Sequence, residues 1–366
     1  MPGQKSLIRN SVAKMSGYVP GEQSRSDKII KLNTNENPYP PSPRVVEALL
    51  SLDVGKLRLY PDPVSLELRK ELAGRHGCKP ENVFVCNGSD ETLKLCTQAF
   101  VENGGSIGYF NPSYSLYPVL ADIREAVKRP IELSDEFEWP TDAMADMDFD
   151  LFFLSNPNAP TSILYPSDAV RDFCVSGKGV VVIDEAYVDF ASHDCMNLAL
   201  TMDNVLVART LSKSFSLAGL RVGYAIGPEP LINALMKLKD SYNVDAISQQ
   251  VALAAVKDSE YMRTNVARIC KTRSRLTMLL KDKGYKVYPS EANFIWTKPA
   301  GIQAEKLFGI LRKKGILVRY FPGDRTGAYI RITIGTDTEI DRLLDTLSKI
   351  VDGTFADNDN LNEGKP

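Results

Sequence analysis

An α/β fold, with a mostly parallel seven-stranded sheet between helices and a smaller α+β domain beside it, is predicted by three features of the sequence. Short apolar runs recur at Val83–Cys86, Ser106–Tyr109, Ala126–Arg129, Leu151–Leu154, Val180–Ile183, Val205–Ala208 and Val222–Ile226. Helical patterns separate most of them, notably Glu91–Val101, Tyr114–Ile123, Asp168–Cys174 and Ser214–Leu217. The runs are near-continuous in Val, Ile and Leu, as strands covered on both faces of a parallel sheet require. After Gly284 the texture changes to short alternating segments, so a second core is expected.

Composition bounds what such a chain does. Its 366 residues suffice for two domains of ordinary size. Lys plus Arg number 44 against 46 Asp plus Glu, a net charge of -2 that argues against a general nucleic-acid binder. The cysteines (Cys78, Cys86, Cys96, Cys174, Cys195, Cys270) form no Cys-x-x-Cys pair, and no signal peptide or membrane span is evident. Reduced thiols in a cytoplasm are expected. The only histidines are His76, at a helix terminus, and His193, in a polar loop. Acid–base chemistry therefore falls to other side chains.

Taken in order, residues 1–30 form an N-terminal arm. Leu7, Ile8, Val12 and Met15 stand at helical spacing over residues 5–16, suiting a helix on a neighbouring subunit or on its own domain. Residues 31–44, kept extended by Pro38, Pro40 and Pro41, are assigned with 261–351 to the small domain. The large domain takes 45–260. Ser42-Pro43 caps and opens a helix to about Ser51, and Tyr60-Pro61-Asp62-Pro63 is a rigid turn before a helix over Ser65–His76. Helices follow at Leu231–Asp240, Ser248–Ala255 and Glu260–Lys283, the last bridging the domains. Strands at Tyr285–Tyr288, Asn293–Trp296, Leu317–Tyr320 and Tyr329–Ile334 alternate with helices at Gln303–Lys314 and Asp337–Val351. The polar tail, 352–366, reads as disordered. Asp142, Asp146, Asp148 and Asp150 read as a solvated loop, and no metal is expected. Gly104-Gly105 and Gly219…Gly223 do not fit a dinucleotide fingerprint.

Ligands of an open parallel sheet sit at the carboxyl ends of its strands. Four polar clusters fall there. Asn87-Gly88-Ser89-Asp90-Glu91-Thr92 opens a helix, as a phosphate cradle or as simple N-capping. Ser155-Asn156-Pro157-Asn158-Ala159-Pro160-Thr161 is, alone, a proline-rich turn. Asp184-Glu185-Ala186-Tyr187 places an acid at a buried strand end, where it needs a partner. Arg209 to Tyr224 sets Lys213 among Thr210, Ser212 and Ser214, with Arg221 following. Alone, Lys213 reads as an exposed loop lysine. Together the clusters supply an acid, a phenol, an amide, an amine and phosphate donors, the set that a phosphorylated pyridine aldehyde needs.

These clusters resemble the fold type I enzymes that use pyridoxal 5′-phosphate, the aspartate-aminotransferase superfamily. Within it, the sequence from Arg209 to Tyr224 is most similar to that of the histidinol-phosphate aminotransferases. So are Leu32-Asn33-Thr34-Asn35-Glu36-Asn37-Pro38, Tyr60-Pro61-Asp62-Pro63, Gly88-Ser89-Asp90-Glu91 and Tyr329-Ile330-Arg331-Ile332-Thr333-Ile334-Gly335-Thr336. The resemblance runs from Tyr18 to about Val351. It implies that Lys213 bonds the cofactor aldehyde, Asp184 holds the ring nitrogen protonated, Tyr187 bonds the ring oxygen and Tyr114 stacks on the ring. It further implies cofactor contacts from Ser89, Asp90, Glu91, Thr210, Ser212 and Arg221, and from Tyr60 across a homodimer interface. Substrate contacts are implied for Tyr18, Asn37, Arg319 (facing a phosphate) and Arg331 (facing a carboxylate).

Two positions depart from the family pattern. Ala159 stands where an asparagine normally precedes Pro-Thr, and Ser162 where glycine is usual. Either Asn158 reaches the ring oxygen instead, or Tyr187 serves it alone. The implied activity is ping-pong transamination between histidinol phosphate and 2-oxoglutarate, with Lys213 as mobile base. Aromatic aminotransferases and threonine-phosphate decarboxylases share the scaffold. A non-catalytic sensor would be expected to lack Lys213, Asp184 or Arg331, and all three are present.

Overall fold

The computed structural model describes residues 7–24, 26, 28–144 and 147–351. Lys5, Asp146 and the tail from residue 352 lie outside the described residues. All the apolar runs pair into one sheet, in the order Val83–Asn87, Val222–Ile226, Val205–Thr210, Val180–Asp184, Leu151–Ser155, Ser106–Asn111 and Val127–Glu132. Neighbours are parallel except at Val222–Ile226, which is antiparallel to both of its partners. Side-chain alternation feeds two cores. Phe152, Leu154, Val181, Ile183 and Val207 pack on one face, while Phe153, Val182, Leu206 and Ala208 pack on the other. The central strands are therefore apolar at every position, which made them readable. Val127–Glu132 is the exception. It is an edge strand, mostly exposed and carrying Pro130, where the missing N–H costs no ladder bond.

The carboxyl ends of the parallel strands bring Asn111, Ser155, Asp184 and Thr210 to one edge. The helix expected over Ser214–Leu217 is absent. Those residues form a loop in which Ser216 takes a left-handed φ of 61°, and a short 3-10 turn follows at Ala218–Leu220. The physical reason is competition for the backbone. Asn37 Nδ2 donates to the carbonyls of Lys213 and Ser214 at 3.0 and 3.1 Å, and the Ser214 hydroxyl bonds Asp189.

The second sheet is antiparallel, ordered Arg319–Tyr320, Ile330–Thr333, Phe294–Lys298 and Lys286–Val287. The extended N-terminal segment joins this unit, with Ile30–Lys31 pairing in parallel with Ile316–Leu317. Helix Ser259–Asp282 enters both cores, with Met262 in the first and Ile269, Leu276 and Leu280 in the second. The arm's described helix is only Asn10–Lys14. It lies on its own chain, where Ser11 Oγ donates to Glu125 Oε1 at 2.6 Å and Arg9 pairs with the same carboxylate. Among the described residues no helix is long and apolar enough to cross a membrane.

Candidate active site

A cavity of about 500 Å³ opens at the carboxyl edge of the large sheet and is closed on its far side by the N-terminal segment and the small sheet. Asp184 stands at its base, only 4% exposed. Its Oδ2 accepts from the Tyr117 hydroxyl at 2.9 Å and its Oδ1 from the Ala186 N–H at 3.2 Å. Burial nevertheless pushes the carboxyl up to about 6, so a cationic neighbour in the cavity would be strongly favoured.

Strand alternation sends the next side chain to the opposite face. There Glu185 Oε2 accepts from Arg209 Nε at 2.8 Å and Glu185 Oε1 from the Cys195 N–H at 2.6 Å. Arg209 also meets Asp194 at 2.9 Å. This buried pair fixes the strand that carries Asp184. Glu185→Ala is expected to lower unfolding free energy by about 3 kcal/mol, since it strands the buried guanidinium. Urea denaturation measures it, and a loss within experimental error would show that Asp194 alone suffices for Arg209.

Lys213 is partly buried, and its Nζ donates to the Thr34 carbonyl at 3.2 Å. Burial first, then the Arg331 and Arg221 charges, hold its ammonium down at about 8. Near neutral pH a useful fraction is thus free amine, as nucleophilic chemistry requires. The bland interpretation as an exposed loop lysine does not hold.

Glycines make room for the anion-binding corner. Gly88 has φ 76°, and a Cβ there would lie 2.5 Å from Arg221 Nη2. A Cβ on Gly223 would lie 2.5 Å from the Ser89 nitrogen. The Arg221 guanidinium and the N-terminus of helix Ser89–Phe100 therefore converge on one point. Thr210 Oγ1 donates to Ser212 Oγ at 2.9 Å and accepts from the Ser212 N–H at 3.1 Å, completing a hydroxyl-rich wall.

On the cavity's aromatic side, Tyr114 meets Tyr18 edge-on at 5.8 Å and bonds Asp90 at 3.3 Å. Tyr187 meets Phe294 edge-on at 4.9 Å. Arg331 lies between Phe294 and Phe321, at 5.1 and 5.3 Å from their ring centres. Its Nη2 donates to the Asn33 carbonyl at 3.0 Å, while its buried Nε has no partner among the described residues. Arg319 sits 5.0 Å over Phe321 and donates to the carbonyls of Val19 and Pro20 at 3.0 and 3.3 Å. Two guanidinium groups thus face the cavity across one shared ring.

Four expected site residues stand elsewhere. Glu91 does not line the cavity, because its Oε2 caps the Asn87 N–H and accepts from Asn243 Nδ2 at 3.0 Å. Asn37 is spent on the Lys213 loop carbonyls described above, and so shapes the site from behind. Asn158 is fully buried beneath it, with Nδ2 donating to the Pro112 carbonyl at 3.1 Å and Thr161 Oγ1 at 2.9 Å. Its amide hydrogens are committed, so it is not aimed at a ring in the cavity. Tyr60 is exposed and stacks on Tyr242 at 4.3 Å, away from its own chain's cavity. Sequence reasoning missed Asn35 and Thr34, although both lie in a quoted motif, and Tyr117, which follows Tyr114 by one helical turn. Ser162 adopts a left-handed φ of 64°, which explains why glycine suits that position. His76 is partly buried against the Tyr224 hydroxyl at 3.0 Å and held down to about 3 by burial first, a neutral structural role.

Residues 27–347 match the model of the aminotransferase class I and II family. The chain belongs to that family. As an aminotransferase it has relatives named histidinol-phosphate aminotransferase from Brachyspira hyodysenteriae, 41% identical over 95% of this chain and 99% of that protein, and from Citrifermentans bemidjiense, 42% identical over 94% and 99%. A solved histidinol-phosphate aminotransferase from Sinorhizobium meliloti, in complex with pyridoxal-5′-phosphate, shares the fold with a TM-score of 0.85 at 23% identity, covering 96% of this chain and 99% of that one. Pyridoxal 5′-phosphate is the family's cofactor. The residues of this aminotransferase fit it: a buried acid for the ring nitrogen, a primary amine for the aldehyde, and a glycine-lined helix N-terminus beside an arginine for the phosphate.

Proposed function

We propose that this aminotransferase moves the amino group of histidinol phosphate to 2-oxoglutarate. The observation that carries the proposal is the pair Arg319 and Arg331, two guanidinium groups facing one cavity across Phe321. Such a pair suits a substrate anion at each of two points, and bidentate forks favour phosphate and carboxylate. Both named relatives act under the same substrate name over nearly their whole length.

When bound, pyridoxal 5′-phosphate supplies an electron sink for the substrate's α-carbon. Lys213 would hold the cofactor aldehyde at rest, and its amine, once freed, would be the base that moves the α-proton. Asp184 keeps a proton on the ring nitrogen, a task for which its burial and fixed hydrogen bonds suit it. Tyr187 donates to the ring oxygen, and Ser89, Asp90, Ser212 and Arg221 hold the phosphate. Tyr114 packs on the ring face. Arg331 takes the carboxylate of the amino-acid partner, and Arg319, with Tyr18 beside it, takes the phosphate at the outer end. Two copies of the chain assemble as a homodimer in the cytoplasm, with Tyr60 reaching the other copy's cofactor phosphate. Leu50, Val54, Leu57 and Leu59, all exposed beside Tyr60, make an apolar face that a second copy would cover.

Steady-state assays of the loaded protein with histidinol phosphate, phenylalanine, tyrosine and threonine phosphate test the substrate. The expected kcat/KM for histidinol phosphate exceeds the others by at least about tenfold, roughly 1.4 kcal/mol. Preference for an aromatic amino acid, or release of carbon dioxide from threonine phosphate, would replace the proposal.

A further inference from the structure

Ala159 removes the amide that this family normally aims at the ring oxygen, and Asn158 beside it is committed elsewhere. A different asparagine holds the neighbouring phenol. Asn35 Nδ2 donates to the Tyr187 hydroxyl at 3.0 Å, and among the described residues that is the hydroxyl's one hydrogen bond. The orientation of the Asn35 amide follows from hydrogen-bond chemistry. Thr333 Oγ1 accepts from the Asn35 backbone N–H at 3.0 Å, so its own hydrogen is available for Asn35 Oδ1, which lies 2.9 Å away. With Oδ1 facing Thr333 the threonine hydrogen is satisfied, and the NH₂ group then faces Tyr187. Asn293 Nδ2 donates to the Asn35 carbonyl at 3.0 Å and completes the clamp. The backbone explains the residue type as well, since Asn35 has a φ of 57°, which asparagine tolerates better than most residues.

We propose that Asn35 is a positioning residue that takes over the missing amide's task, acting through Tyr187 rather than on the ring itself. By donating to the Tyr187 oxygen it occupies the acceptor side of the phenol, and so turns the phenolic hydrogen toward the cavity and the cofactor's ring oxygen. Thr333 and Arg331 are two apart on one strand and share a face, so the strand that presents the substrate arginine also sets the phenol's direction. The inference rests on the proposed role of Tyr187, and its test separates the two.

The readout is the pH midpoint of the visible absorption of cofactor bound at Lys213. A donor on the ring oxygen makes that oxygen a weaker base and lowers the midpoint of the lysine-derived nitrogen beside it; losing the donor raises the midpoint. The charged groups acting on Tyr187, namely Arg331, Asp184 and Asp90, are unchanged in Tyr187→Phe and Asn35→Gly, while Asn35→Asp adds a carboxylate beside them. Tyr187→Phe is expected to raise the midpoint by about one unit, and Asn35→Gly by about half a unit. Asn35→Asp keeps the volume and tolerates the left-handed backbone, but its carboxylate draws the phenolic hydrogen away from the ring. Its rise is expected to equal or exceed that of Tyr187→Phe. A purely structural Asn35 predicts no rise in Asn35→Gly, with any rise in Asn35→Asp due to the added charge alone. An unmoved Asn35→Gly, with Tyr187→Phe shifted, overturns the role of Asn35 alone. An unmoved Tyr187→Phe overturns it together with the assignment of Tyr187. Thermal melts of the apoproteins and their affinity for pyridoxal 5′-phosphate accompany the titration; a few-fold weaker affinity in Asn35→Gly, with its melting temperature kept, is the supporting result.

Discussion

Lys213→Ala is expected to abolish turnover in both half-reactions and to remove the visible absorption of the loaded protein. In the proposed mechanism one side chain holds the aldehyde and shuttles the α-proton, and among the described residues no other amine or imidazole lines the cavity. His76 is locked against Tyr224, and neither histidine lines the cavity. General acid–base transfer alone contributes about 10²–10⁴-fold, so with covalent attachment lost as well the rate should fall at least to that floor. Single-turnover absorbance with glutamate measures it, and turnover within tenfold of wild type would refute the role of Lys213. A companion measurement is the loading rate of wild-type apoprotein against pH. Only the free amine attacks the aldehyde, and burial holds the ammonium down at about 8. Loading should accelerate as pH rises toward 8 and level off above it, well short of the ordinary lysine range.

Asp184→Asn should cost on the order of 10²–10³-fold in kcat, the scale of losing one fixed electrostatic stabiliser, while cofactor affinity falls less than about tenfold. The swap keeps shape and removes only the charge that favours a protonated ring nitrogen. Equal losses in kcat and affinity would reassign the acid to simple binding. The apoprotein gives an independent sign. Burial raises the Asp184 carboxyl to about 6, above its unfolded value. Its favourable contribution to folding is thus present in acid and lost as pH rises through about 6. Above that pH the wild-type apoprotein carries a buried charge, so Asp184→Asn should be the more stable of the two there, and thermal melts at pH 5 and pH 8 should show the larger difference at the higher pH.

Most of this architecture was legible because burial on both faces leaves a near-continuous apolar record in each central strand, as in Leu151–Ser155 and Val205–Thr210. Val127–Glu132 was recognised only in part, since an edge strand keeps no such record. The Ser214–Leu217 error has a definite cause: the apolar residues there pack into the core from a loop, and side chains distant in sequence, Asn37 and Asp189, hold its backbone. Within the site, Asp184, Lys213 and Arg221 could be found from strand-end position, and all line the cavity. Asn35 and Asn37 could not be told apart by composition. They lie two residues apart in one polar run, yet the left-handed turn at Asn35 directs one amide to Tyr187 and the other to the Lys213 loop. Only tertiary contact decides between them.

The reversed polarity of Val222–Ile226 has a consequence for how this protein can vary. A parallel crossover leaves the functional edge and returns from the opposite side, so its length can drift at the far end. The segment between Thr210 and Val222 instead leaves and re-enters the sheet at the same edge, closed by the Leu211 N–H on the Val222 carbonyl at 3.0 Å. Both of its ends are ligand-facing, Ser212 at one and Arg221 at the other. An insertion or deletion within residues 211–221 must displace Lys213, the hydroxyl wall or the arginine. This should be the stretch least tolerant of a change in length, while the connection around Asp142, which contributes no lining residue to the cavity, should accept one readily.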